Sequence, residues 1–167
     1  MLKLKKSLGQ NLLSDKNIIN KIASLDKITD ETILEIGPGS GKLTDSIAYK
    51  KPKKMILIEK DERFCEILKK KFQIAGAHEI LNQDILDYNL KSLAKNLVVF
   101  GNLPYNISTQ ILAKFINIDT WPPFYKKIIF MFQQEVANKI LAKHNTKEYG
   151  RITILTNVRL DIIKSFK

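Results

Sequence analysis

Thr32-Ile33-Leu34-Glu35-Ile36-Gly37-Pro38-Gly39-Ser40-Gly41 decides the fold. A short β-branched and apolar run stops at three glycines within five residues, and Lys42-Leu43-Thr44-Asp45-Ser46-Ile47-Ala48 follows at helical spacing. The pattern reads as strand, glycine loop and helix. Glycines let the backbone approach a ligand closely, and a helix start presents free N–H groups. A tight turn would use the same residues, so the stretch needs support from elsewhere. The next strand, Met55-Ile56-Leu57-Ile58, provides it by ending in Glu59, 20 residues after Gly39 (59 − 39). A carboxylate at that spacing accepts hydrogen bonds from a ribose diol. Taken together, the loop and Glu59 predict a nucleoside site rather than a turn and a solvent carboxylate.

Outward from there the pattern repeats. Asp61 is placed to cap a helix over 62–72, with Phe64, Ile67, Leu68 and Phe72 on its core face. A third strand around Glu79-Ile80-Leu81 ends near Asp84 and Ile85, where a carboxylate can accept from an adenine amine. A fourth strand, Leu97-Val98-Val99-Phe100, runs into Gly101-Asn102-Leu103-Pro104-Tyr105. Asn102 offers an amide oxygen, Tyr105 a stacking face, and Pro104 fixes the backbone between them and biases Leu103 away from helix. Those groups suit a planar ring carrying an exocyclic amine. Ser108 or Thr109 is expected to cap the next helix, with Ile111, Leu112, Phe115 and Ile116 inside. Lys127–Phe132 reads as a fifth strand, 134–143 as its helix, and Ile152–Leu160 is ambiguous between helix and strand. Near the amino end, Ser14 is the expected cap of a helix carrying Ile18, Ile19, Ile22 and Leu25. Strands alternating with helices predict an α/β, doubly wound, Rossmann-like parallel sheet with right-handed crossovers.

Composition narrows the class. A chain of 167 residues with a hydrophobic fraction of 44% suits one globular domain. No apolar run approaches the roughly 20 residues of a membrane span, and the first residues lack a signal-peptide core. The single Cys65 excludes an internal disulfide, fits a reducing compartment and reads as a small core residue. A cytoplasmic location is expected, and no metal site is assigned. Twenty-eight Lys and Arg against 17 Asp and Glu give a net charge of +11, which points to a polyanion. Only Arg63, Arg151 and Arg159 are arginines, so phosphate attraction is expected to outweigh base readout. His78 and His144 are expected on the surface.

Five motifs in order resemble the ribosomal RNA adenine dimethyltransferase family. They are Leu8–Leu13, Leu34–Gly41, Asp84, Phe100–Thr109, and Met131–Ala137 with Tyr149-Gly150-Arg151. The wording of the fourth and of Tyr-Gly-Arg is closer to the small-subunit branch than to the large-subunit resistance branch. The resemblance implies S-adenosylmethionine as cofactor, ribosomal RNA in the immature small subunit as partner, a monomer and no membrane. It further implies that Asn11 and Leu13 line the cofactor site from an N-terminal arm (residues 1–13) and that Gly37 and Gly39 approach the methionine part. Glu59 would hold the ribose, and Asp84 and Ile85 the adenine. Asn102, Leu103, Pro104 and Tyr105 would carry catalysis, with Asn102 also touching the cofactor. The product would be two adjacent adenines, each dimethylated on the exocyclic nitrogen.

Family members continue past the last residues of this sequence with a Phe-x-Pro-Pro-Pro-Lys-Val segment, a final antiparallel strand and a small helical domain. The resemblance therefore implies that 1–167 is the methyltransferase domain without that helical domain or last strand. A sixth strand at Val158–Phe166 would lose its usual neighbour, and the Phe that forms the second stacking wall for the adenine has no equivalent. Cofactor binding with weak or absent turnover is the expectation. The alternatives are a non-catalytic RNA-binding or assembly factor on the same fold, a large-subunit resistance methyltransferase, and a nicotinamide dehydrogenase. The Gly-x-Gly-x-Gly spacing disfavours the last.

Overall fold

The computed structural model describes residue 9, residues 12–72 and residues 78–166. Five strands form one sheet: β1 (Thr32–Ile36), β2 (Lys54–Glu59), β3 (His78–Asn82), β4 (Leu97–Asn102) and β5 (Tyr125–Met131). Their order is β3-β2-β1-β4-β5 and every pairing is parallel. The chain steps outward from β1 to β3 and then returns to the other side of β1. Between β1 and β4 the direction of winding reverses, and a crevice opens there at the carboxyl ends.

Alternation along the strands sorts the two faces. Ile33, Met55, Leu57, Val98 and Phe100 pack with α1 (Lys16–Ala23), α2 (Lys42–Ala48) and α3 (Glu62–Lys71) through Ile19, Ile22, Leu43, Ile47 and Leu68. Leu34, Ile36, Ile56, Ile58 and Val99 pack on the other face with Ile111 and Phe115 of α4 (Ser108–Ile116). Against α4 lie α5 (Gln134–Ile140) and α6 (Arg151–Arg159), through Leu112, Ile116, Ile140, Ile152 and Leu155. Burial on both faces explains why the central strands read as nearly unbroken apolar runs. No helix among the described residues is long and apolar enough to cross a membrane.

Several local expectations need correction. Asp15, not Ser14, caps α1, its carboxylate accepting from the N–H groups of Asn17 (2.8 Å) and Ile18 (3.2 Å); a carboxylate also suits the positive end of the helix. Ile18 is exposed. Ser108 does not cap α4 but is its first residue, buried, with its hydroxyl turned back to the Tyr105 carbonyl. Residues 151–159 are helix, settled by hydroxyls rather than apolar spacing. Thr153 and Thr156 form its buried face, Thr153 donating to the Lys139 carbonyl and Thr156 to that of Ile152. No strand forms over 158–166: Val158 lies in α6, and residues 160–166 carry no ladder hydrogen bonds among the described residues. His144 is exposed as expected, whereas His78 is half-buried, stacking on Phe72 at 5.3 Å with both ring nitrogens enclosed.

Candidate cofactor and amine site

At the end of β1 the chain turns through three residues that L side chains resist: Gly37, Gly39 and Gly41 have φ of 63°, 55° and 77°. The loop is stitched to β2. The Gly37 N–H donates to the Ile58 carbonyl at 2.9 Å, and the Gly39 N–H to Glu59 Oε2 at 3.0 Å. The other Glu59 oxygen accepts from the Asp61 N–H at 2.8 Å. Glu59 is buried, so desolvation raises its pKa, opposed by those hydrogen bonds from Asp61 and Gly39. Each carboxylate oxygen still has a lone pair for a further donor.

Two observations fit a nucleoside cofactor at this loop. A Cβ placed on Gly37 would meet nothing within 4 Å among the described residues, so the backbone there is open on that side. A Cβ on Gly39 would come to 2.7 Å from Leu12 Cδ2, so the Leu12 side chain roofs the loop. Leu13 packs on the core beside α1 and α2. Asn11 lies outside the described residues.

Asp84 follows β3 in an Asx turn, accepting from the Leu86 N–H at 2.9 Å and from Lys60 Nζ at 2.6 Å. Burial alone would raise its pKa, but the Lys60 ammonium and the Leu86 N–H hold it below the usual value. Ile85 points into the core formed with Ile56, Ile58 and Leu90, so any contact with a ring is made by its edge.

On the other side of the crevice, β4 delivers Asn102. Gly101 stands just before it, where a Cβ would come to 2.6 Å from Leu103 Cδ2 and to 3.3 Å from the Phe130 ring, so that the Leu103 side chain would have to shift. Leu103 is folded into the core (1% exposed), Asn102 stays half-buried, and the Tyr105 ring is 42% exposed. The Ile107 N–H closes a turn onto the Pro104 carbonyl at 3.2 Å. Gly9 of the arm sits against the Asn106 side chain and Pro104. The glycine loop, Glu59, Asp84 and residues 102–105 therefore line the carboxyl ends of adjacent strands β3, β2, β1 and β4.

Three contributors escaped the sequence reading. Lys60 pairs with Asp84, Leu12 covers Gly39, and Glu35 is an acid buried in the middle of β1. The last had a signal, a lone carboxylate inside an apolar strand; the first two are contacts between loops. Cys65 is buried as expected, and desolvation raises its thiol pKa.

This architecture is the Rossmann-like α/β fold of methyltransferases, and solved structures agree. A dimethyladenosine transferase from Plasmodium falciparum superposes with a TM-score of 0.76 at 30% identity, over 89% of this chain and 52% of that one. The 23S rRNA methyltransferase ErmE gives 0.67 at 27% identity, over 84% and 53%. The model of the ribosomal RNA adenine dimethylase family matches residues 1–164, and the chain belongs to that family. Among curated relatives, ribosomal RNA small subunit methyltransferase A of Pelagibacter ubique is 46% identical over 166 residues, 97% of this chain and 62% of that protein. The Ehrlichia ruminantium protein of the same name is 42% identical, covering 98% and 63%. The chain thus spans about three fifths of the length of these relatives.

Proposed function

We propose that residues 1–167 form an S-adenosylmethionine-binding methyltransferase domain, with residues 1–13 as an arm, acting as a monomer on small-subunit ribosomal RNA in the cytoplasm. The reaction is methyl transfer to the exocyclic amines of two adjacent adenines. The observation that carries this reading is the placement of Glu59, the glycine loop and Asn102-Leu103-Pro104-Tyr105 at the carboxyl ends of the neighbouring strands β2, β1 and β4. The small-subunit relatives favour that RNA over the large-subunit substrate named for ErmE.

Glu59 holds the ribose hydroxyls, Asp84 accepts from the cofactor's adenine amine, and the Gly37 backbone leaves room for the methionine part. Asn11 and Leu13 close the site from the arm. When bound, the cofactor supplies an electrophilic methyl on a sulfonium. An adenine amine is a poor nucleophile because its lone pair is delocalised into the ring. Hydrogen bonds from that amine to the Asn102 side-chain oxygen and the Leu103 carbonyl favour a pyramidal nitrogen with its lone pair aimed at the methyl. Tyr105 stacks on the base once it leaves its helix or loop, and Pro104 fixes the spacing between the two. No strong base is required, because positioning does most of the work.

Calorimetric titration with S-adenosylmethionine, followed by radiolabelled methyl transfer to immature small subunits, tests both halves. Micromolar binding with slow but measurable transfer is expected. No binding overturns the cofactor reading, whereas binding without any transfer leaves the RNA-binding factor as the better description.

A further inference from the structure

Glu35 is the one acid in the central strand, 1% exposed. By register it lies opposite Leu57 on β2 and Phe100 on β4. Glu59 and Asn102 are each two residues further along those strands and on the same face, so Glu35 sits beneath and between the cofactor and amine sides of the crevice. Its Oε2 has no well-formed hydrogen bond among the described residues, although the fully buried Thr44 hydroxyl lies close enough to the carboxyl to favour its charge. Every group that acts on it is at hand. Glu59 of β2 and Asp45 of α2 disfavour its charge, as burial does, while the Thr44 hydroxyl and Lys71 of α3 favour it. Lys71 is already paired with Asp45. The balance raises the Glu35 pKa to about 8.

We propose that Glu35 is a proton-linked positioning residue, protonated when the crevice is empty and ionised in proportion to the positive charge that enters above it. A positively charged cofactor held at the glycine loop would favour Glu35 ionisation through a medium of low dielectric. By linkage, a proton leaves as the cationic cofactor binds and returns once the neutral thioether remains. The residue thereby makes the site discriminate charged cofactor from spent product, more so as pH rises. The inference rests on the cofactor reading above.

The experiment is calorimetry of the 167-residue chain with S-adenosylmethionine and with S-adenosylhomocysteine, in buffers of different ionisation enthalpy. From about pH 6.5 to about pH 9, the preference for the sulfonium form should grow about three- to tenfold, with more proton release for that form than for the product near pH 8. The amino group common to both ligands titrates in the same range, so Glu35→Gln is the reference; it should bind both ligands at pH 6.5 and show no growth in preference. Equal proton release for the two ligands in the wild-type chain overturns the proposal even if the variant does not fold. A Glu35→Gln chain that folds yet keeps the pH-dependent preference overturns it as well. Failure of either ligand to bind at any pH overturns the cofactor reading, and this inference with it.

Discussion

Glu59 Oε2 accepts the Gly39 N–H at 3.0 Å, tying the loop after β1 to the end of β2 through a side chain rather than through the sheet. With its second oxygen on the Asp61 N–H, the carboxylate shapes the pocket before any ligand arrives. Glu59→Gln keeps the volume but turns an NH2 group toward one of those donors. We expect a stability loss of about 1–3 kcal/mol, read by urea unfolding, and at least tenfold weaker cofactor binding by calorimetry.

Gly37 and Gly39 separate two roles. Gly37→Ala meets no atom among the described residues and costs only the strain of a positive φ, about 1–2 kcal/mol, yet its methyl would occupy the space proposed for the cofactor. The variant should fold with a modestly lower Tm and lose measurable binding. Near-normal affinity would show that the cofactor does not pass over Gly37.

Lys60 and Asp84 form a pair whose lysine is more than half exposed, and water screens such pairs so that they add little to stability. Lys60→Met should leave the unfolding midpoint almost unchanged. Asp84→Asn should instead weaken S-adenosylmethionine binding about tenfold by exchanging an acceptor for a donor at the amine. If both variants bind like wild type, the adenine does not lie at Asp84.

Stability should decline on the alkaline side. Glu35 is raised from 4.5 to about 8 in the folded chain, so the folded state holds a proton that the unfolded state has released. The stabilisation is complete below about pH 4.5 and is lost as pH rises through about 8. Tyr125, whose hydroxyl donates to the Phe115 carbonyl, is pushed up to about 12 and extends the decline at higher pH. Thermal melts from pH 5 to 9 should show a falling Tm that Glu35→Gln flattens.

Asn102→Ala and Tyr105→Ala remove groups at the crevice rim, not in the core. Both should keep the circular dichroism and Tm of the wild type. Each should lower methyl incorporation into small-subunit RNA by at least a hundredfold, Tyr105→Ala with cofactor affinity intact. Wild-type incorporation in either would remove these residues from the reaction.

What the sequence made legible followed from periodicity and from spacing along one strand–loop–helix unit. Both cores, all five strands, the glycine loop, Glu59 and the Asn102–Tyr105 turn were readable because each depends on near neighbours. Contacts closed by tertiary folding were not. Lys60 meets Asp84 across 24 residues, and Gly9 reaches Asn106 across the chain. The Ser14 and Ser108 caps failed because a hydroxyl marks a helix start only to within a residue, and Asp15 competes better for the N–H groups. Residues 158–166 failed as a strand because β propensity counts only where a partner offers hydrogen bonds.

The strand order carries one more consequence. Gly37, Gly39, Glu59 and Asp84 all come from the half of the sheet built by residues 32–86, while Asn102 and Tyr105 belong to the half begun by β4. The halves share a single seam, β1 against β4. Substitutions confined to residues 97–131 would therefore reshape the Asn102–Tyr105 side of the sheet while leaving the hydrogen bonds among Gly37, Gly39, Glu59 and Ile58 intact.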